Sequence, residues 1–152
     1  MAGDTPHYKG HEGLKPLDAR HVEISSLEWQ PAPFPGIQTK ILYSDPDTGL
    51  STILFKMEPG AVVPDHIHTA IEQTYMLEGS LEDSQGACTA GNYVWRPGGN
   101  RHVAHAPNGA LFISMFMKPN HFMAGTKFFT ELEQDQQARR GRAIPAAPRV
   151  GG

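Results

Sequence analysis

Through the middle of the chain, apolar residues recur at every second position in short runs, separated by clusters of glycine, proline, asparagine and aspartate. Ile53, Phe55 and Met57 alternate with Thr52, Leu54 and Lys56, the period of a strand with one buried face. Gln38 to Ser44 precedes this run across Asp45-Pro-Asp-Thr-Gly49, whose residue types suit a turn, so a hairpin is predicted. Further strands are predicted at Ala61 to His68 and Glu72 to Leu77, with turns at Glu58-Pro-Gly60 and Glu78-Gly79-Ser80. Leu81 to Asp83 and Ala87 to Thr89 read as a small polar hairpin around Ser84-Gln85-Gly86. Asn92 to Arg96, Val103 to Ala106 and Ala110 to Met117 complete the series.

Val22 to Leu27 reads as an earlier strand, and the proline-rich stretch from Trp29 to Gly36 as an irregular crossing, because proline cannot donate to a ladder. Residues 1 to 20 carry neither period and read as an arm. Lys127 to Arg140 sets Phe128, Phe129 and Leu132 among charged and amide residues, which suits a short helix capping the barrel. About nine strands at this spacing predict an all-β domain, a double-sheet jelly roll or barrel. The expected divisions are an arm and irregular segment at 1–36, the barrel at 37–126, and a short helix with an extended tail at 127–152.

A chain of 152 residues suits one domain with a continuous core. A net charge of -3 leaves no basic surface for nucleic acid, and no Lys/Arg run adjoins an apolar stretch as membrane binding would need. No window approaches a membrane span, and the first residues lack the apolar centre of a signal peptide. The single cysteine, Cys88, forms neither an internal disulfide nor a thiolate-rich metal site, and reads as a small buried hydrophobe. These features together predict a cytoplasmic protein whose partners are small molecules.

The candidate chemistry is metal ligation. His66 and His68 are two residues apart, so on a strand both side chains leave one face. Glu72 opens the next strand, and His102 follows a Pro97-Gly-Gly99 turn that returns the chain to the same cavity. Three imidazoles and one carboxylate form an N3O donor set, which suits Fe(II), Mn(II), Ni(II), Co(II) or catalytic zinc better than a zinc finger or a calcium cage. Four protein ligands on an octahedral ion would leave two positions for substrate, or for substrate and dioxygen. His105 has odd spacing from His102 and is expected on the opposite face. His7, His11, His21 and His121 lie outside the pattern.

Gly60-x5-His66-x-His68-x3-Glu72-x6-Gly79 and Gly91-x5-Pro97-x-Gly99-x2-His102 resemble the two motifs of the cupin superfamily, position for position. The resemblance implies a double-stranded β-helix, or jelly-roll, barrel binding one divalent transition metal through His66, His68, Glu72 and His102. The second motif usually closes on Asn where this chain has Ala106, a position expected on the hydrogen-bonding periphery of the site. Glu72 to Ser80 and Gly91 to Pro97 further resemble the subgroup holding the cupin domain of zinc-dependent anti-sigma factors and acetylacetone-dioxygenase-like proteins. Some of those dioxygenases use three histidines only, whereas Glu72 fits the four-ligand version.

The leading expectation is therefore an Fe(II) dioxygenase that cleaves a small β-diketone or hydroxy-ketone, with dioxygen as co-substrate. A non-redox isomerase or lyase and a zinc-binding sensor or ligand-binding cupin are the alternatives, with Zn(II), Mn(II) or Ni(II) as other ions. Thr74, Met76, Phe112, Ser114 and Phe116 share faces that would line the substrate cavity. Trp95 shares a face with Tyr93 and not with Arg96, so an aromatic wall or a cation faces the substrate but not both; Trp95 joins the expected lining. No residue stands out as a nucleophile or general base. Small cupins commonly extend a sheet or exchange an arm, so a homodimer using residues 1–36 is also expected.

Overall fold

The computed structural model describes residues 3–123 and shows ten strands with one short 3-10 helix, Ile24–Ser26. In chain order the strands are β1 (Gln30–Pro31), β2 (Ile37–Ser44), β3 (Ser51–Met57), β4 (Ala61–Ile67), β5 (Glu72–Asp83), β6 (Gly86–Thr89), β7 (Tyr93–Arg96), β8 (Arg101–Ala106), β9 (Ala110–Phe116) and β10 (His121–Phe122). All pairings are antiparallel and the sheet curls into the expected jelly roll. Among the described residues no helix is long and apolar enough to cross a membrane. The helix expected over residues 127–140 lies outside the described residues.

One strand belongs to both walls of the barrel. The first half of β5 runs between β9 and β7, with Glu72 opposite Phe116 and Arg96. Its far end pairs with β6 and, at Glu82 opposite His105, with β8, in the other wall. Glu78-Gly79-Ser80 is therefore not the turn its composition suggests. It is an irregularity inside one continuous strand, with a register shift between Met76 and Glu78. Gly79 has φ +70, and a Cβ built there would strike the Gly109 carbonyl oxygen, so a residue type that usually ends strands here lets one strand bend from wall to wall.

Val22 to Leu27 is likewise not a strand. Ser26 donates its hydroxyl to Glu23 O at 2.7 Å and its amide to the same carbonyl at 3.0 Å, closing a local turn in place of a strand ladder. The segment lies across the outside of β2 and β3. Leu27 is buried, Lys40 Nζ donates to Ile24 O at 2.9 Å, and the Lys40 and Lys56 ammonium groups stand 4.8 and 5.7 Å from the Trp29 ring centroid. Nearer the start, Asp4 exchanges both backbone hydrogen bonds with Ser44, so the arm folds back on its own barrel.

Inward residues of both walls form the core. Phe55 stacks on Phe112 at 5.0 Å, with Ile53, Met57, Met76 and Phe116 around them; each large side chain fully buried contributes about 1.5 to 3 kcal/mol. Ala106, expected at the hydrogen-bonding periphery, is instead fully buried in this core. The strict alternation of β8 puts it there, since His102, Ala104 and Ala106 all point inward while Arg101, Val103 and His105 point out.

Candidate metal centre

The same alternation aims the imidazoles. His66 on β4 and His102 on β8 are direct cross-strand partners, and a register shift between Val63 and His66 sets the end of β4 into that alignment. His68 lies just past β4 and is held there by its backbone: its amide donates to Asn100 O at 2.9 Å and its carbonyl accepts from Gly99 N. Gly99 has φ +92, which the Pro97-Gly-Gly99 turn can adopt only with glycine at little cost. His66, His68 and His102 are all buried, each offering a ligand atom within 4.8 Å of the others.

Hydrogen-bond partners fix the ring protons of two imidazoles. His66 Nδ1 is 2.7 Å from Pro64 O and His102 Nδ1 is 2.8 Å from Asp83 Oδ2, and because both partners can only accept, each Nδ1 carries the proton. The Nε2 lone pairs of His66 and His102 are then left for the interior. His68 Nε2 stands 3.0 Å from His102 Nε2. Its Nδ1 lies 2.7 Å from Glu72 Oε2 yet out of line for a hydrogen bond, so this fully buried nitrogen has a carboxylate neighbour and no aligned acceptor. A single cation would satisfy donors that converge in this way better than protons do, and the N3O set suits a divalent transition ion.

Glu72 opens β5 with its side chain turned to the same point. Thr74 donates its hydroxyl to Glu72 Oε1 at 2.8 Å and lies 2.6 Å from the Ser114 hydroxyl, which itself approaches Oε1 at 3.3 Å. That chain holds Oε1 and leaves Oε2 toward His68. Burial opposes ionisation of Glu72, but the close contact with the His68 ring and the hydrogen bond from the Thr74 hydroxyl outweigh it and hold the carboxyl at about 2. Burial lowers His66 to about 4, only partly countered by Pro64 O, and burial together with the Arg96 charge lowers His102. At neutral pH His66 and His102 are thus neutral imidazoles and Glu72 a carboxylate, the forms that bind metals.

A cavity of about 30 Å³, close to the space of one water, adjoins His66, Glu72 and His102. Phe55, Phe112 and Phe116 make much of its wall, with Ser114 and Asn120 as polar members. Of the expected lining residues, Phe112, Ser114 and Phe116 are there. Thr74 is buried behind Glu72, and Met76 is fully buried in the core. Trp95 lies elsewhere: it is 56% exposed on the outside of β7, and Arg96 is the inward residue. The pairing of Arg96 with inward-facing Glu72 is what decides between them.

Two residues of the site, Asp83 and Asn120, were not singled out as such by the sequence. Asp83 Oδ1 accepts from Gln85 N and Gly86 N, as an aspartate before a turn does, while Oδ2 meets both His102 and the Arg96 guanidinium, the latter at 2.7 Å. Its turn-forming half was legible and its buried half was not. Asn120 follows Pro119 in what reads as a loop. It is 8% exposed, its side-chain nitrogen has no hydrogen-bond partner among the described residues, and it borders the small cavity.

Comparison with known proteins places this geometry. The model of the ChrR cupin-like domain family matches residues 18–122. No curated protein matches in sequence. The structure is similar to that of an acetylacetone dioxygenase from Acinetobacter johnsonii, with 23% identity, 82% of this chain and 95% of that one covered, and a TM-score of 0.67. It is also similar to the polyketide cyclase RemF from Streptomyces resistomycificus, with 17% identity, coverage of 79% and 96%, and a TM-score of 0.57. The complex of Rhodobacter sphaeroides SigE with the anti-sigma ChrR gives 21% identity, 62% of this chain and 50% of that one covered, and a TM-score of 0.53. At such identities the likeness is one of fold.

Proposed function

Since the chain belongs to the ChrR cupin-like domain family, we propose that it is a mononuclear metal-dependent oxygenase acting on a small carbonyl compound of the β-diketone or hydroxy-ketone type. The observation that carries this reading is the convergence of three buried imidazoles and the Glu72 carboxylate on the edge of a small, aromatic-walled cavity. His66, His68, His102 and Glu72 would hold one divalent ion, Fe(II) first among those the donor set suits. When bound, such an ion supplies Lewis acidity toward an enolate-forming carbonyl and a route for one-electron chemistry with dioxygen.

The chain's own residues do the rest. Pro64 O and Asp83 fix the ring orientations of His66 and His102. Thr74 and Ser114 restrain one oxygen of Glu72 so that the other stays directed inward. Phe55, Phe112 and Phe116 exclude water, which strengthens every electrostatic interaction in the cavity. The side-chain nitrogen of Asn120 supplies a donor with no other partner among the described residues, suited to a substrate oxygen. The acetylacetone dioxygenase of like fold makes a diketone the first substrate class to try.

A second reading, a zinc-binding sensor, draws support from the size of the cavity, which has room for about one water and none for a diketone unless a wall moves. Metal analysis of protein purified without chelators, followed by oxygen uptake with a panel of β-diketones and hydroxy-ketones, separates the two. Iron-dependent oxygen uptake that Glu72→Gln sharply reduces is the expected result. Tightly held zinc, with no dioxygen consumed by any iron-loaded sample, would overturn the oxygenase reading in favour of the sensor.

A further inference from the structure

Every residue lining the cavity beside the imidazoles sits on β3, β4, β5, β8 or β9 except one, Asn120. Those strands are locked to one another: β3 and β5 each share seven registered pairs with β9, and β4 shares five with β8. Asn120 belongs instead to a strap, residues 117–123, that runs from β9 to the free side of β4. The base of the strap is fixed. Met117 N donates to Ile71 O at 3.3 Å, Thr69 donates its hydroxyl to Pro119 O at 2.5 Å, and a Cβ built on Gly49 would stand 2.9 Å from Pro119 Cδ. Beyond Pro119 the hold is slighter. β10 pairs over two residues at the edge of the sheet, His121 with Ile67 and Phe122 with His66, and Met123 N donates to Asp65 O at 3.0 Å. Phe122 supplies the apolar part of the closure: it is buried, with its ring centroid 5.2 Å from that of Phe34 and 5.0 Å from that of His66.

We propose that residues 120–123 form a gate, hinged after Pro119 and latched by Phe122, through which ion and substrate reach the buried imidazoles; for the substrate, this rests on the oxygenase reading. A cavity with space for about one water admits no diketone while the gate is closed. Widening it at any other wall would break a ladder of five or seven pairs, whereas swinging the gate breaks two and leaves the barrel whole. The same swing withdraws Asn120 from the cavity and Phe122 from His66, the residue it lies opposite, so the opening falls at the imidazoles themselves. A segment of this kind excludes water when closed and admits ligands when open.

Zinc exchange in the full chain tests the gate, with a chromophoric chelator timing release and rapid mixing timing uptake. Phe122→Ala should speed both by about tenfold or more, because the latch is lost from the closed state alone, with little change in the dissociation constant. That combination distinguishes a gate: a ring that merely steadied His66 would, on removal, speed release and weaken affinity with uptake no faster. A disulfide formed by Ile67→Cys with His121→Cys, direct antiparallel partners at a spacing a disulfide can span, should slow both rates by about tenfold or more, and reductant should restore them. For a Phe122→Ala chain that fails to fold, native-state hydrogen exchange of the wild type decides the question: the Met123 amide should exchange through an opening that leaves the β4–β8 amides protected. Zinc rates unmoved by the crosslink, affinity lost without faster uptake, or a Met123 amide that exchanges only together with the barrel would overturn the proposal. Oxygen uptake separates the gate from the oxygenase reading. Undiminished uptake in the crosslinked protein overturns the gate alone, while zinc exchange slowed by the crosslink with no oxygen uptake in any form upholds the gate and removes the oxygenase.

Discussion

One carboxylate oxygen of Asp83 stands 2.8 Å from His102 Nδ1 and 2.7 Å from the Arg96 guanidinium, with all three side chains almost fully enclosed. An imidazole that must present Nε2 to a metal needs its proton kept on Nδ1, and an acceptor that is itself anchored keeps it there. Arg96 supplies the anchor. Although burial opposes it, the Gln85 amide, the His102 ring and the Arg96 charge together hold the Asp83 carboxyl below its ordinary value.

Asp83→Ala is therefore expected to weaken metal binding about 10- to 100-fold, measured by competition with a chromophoric chelator. It also leaves Arg96 buried without its carboxylate, at a cost of about 3 to 5 kcal/mol in unfolding free energy. Asp83→Ala with Arg96→Met should recover most of that stability and none of the affinity. Recovery of both together would show that Asp83 acts on the fold alone.

The metal-free protein should lose stability steadily in acid. His66 titrates near 6.5 in the unfolded chain and about 4 in the fold, so the unfolded chain takes up its proton first as pH falls, and stability drops across that window by roughly 3 kcal/mol. His102, also lowered, acts in the same direction. Glu72 adds a second loss at lower pH, as the unfolded carboxyl protonates below 4.5 while the folded one resists to about 2. Urea melts between pH 7.5 and pH 4 would show this slope; a flat profile over that range would contradict the burial of His66. Bound metal should steepen it, since protons then displace the ion.

Ala106→Asn, which restores the commoner motif residue, is expected to destabilise the protein by about 1 to 3 kcal/mol, because it puts an amide into the apolar core where Ala106 has no exposed surface. Metal stoichiometry in the folded fraction should stay the same. An Ala106→Asn variant as stable as the wild type would mean that the core supplies the amide with partners.

Asn120 separates stability from activity. Replacing its amide, whose nitrogen is unpartnered among the described residues, with an apolar side chain of like volume, Asn120→Leu, should hold or raise the melting temperature, since a buried donor without an acceptor is removed. The same change should reduce oxygen uptake with carbonyl substrates by about tenfold if the amide holds a substrate oxygen, as one lost hydrogen bond of about 1 to 1.5 kcal/mol implies. A variant that loses stability and keeps full oxygen uptake would refute that role.

How much of this could be read from the chain depended on range. Period-2 patterning exposed most of the strands, because alternation is a local consequence of having one buried face. His66 and His68 were legible as a pair for the same reason, and His102 through its Pro-Gly-Gly turn. What failed was composition where geometry overrode it. Gly79 reads as a stop and is a bend, since the decisive contact is with Gly109, far along the chain. Trp95 and Arg96 share a strand, and only the pairing of that strand with β5 fixes which one turns inward. Asp83 has one oxygen in a local turn and the other in a contact with His102 that no sequence spacing encodes.

Because β5 delivers Glu72 at its start and Asp83 at its end, its length is subject to a counting rule. Inward positions run Glu72, Thr74, Met76 and then, past the irregularity at Leu77 and Glu78, resume at Ser80 and Leu81. The even-numbered phase in which the strand begins is thus changed before it reaches the odd-numbered Asp83. Losing one residue from this stretch would produce a smoother strand and a worse protein: the ladder would close up, and the carboxylate that steadies His102 would rotate toward solvent. The interval between these two acids must keep its count, and the turn at 84–86 is tied to it, since the Gln85 and Gly86 amides hold the other oxygen of Asp83.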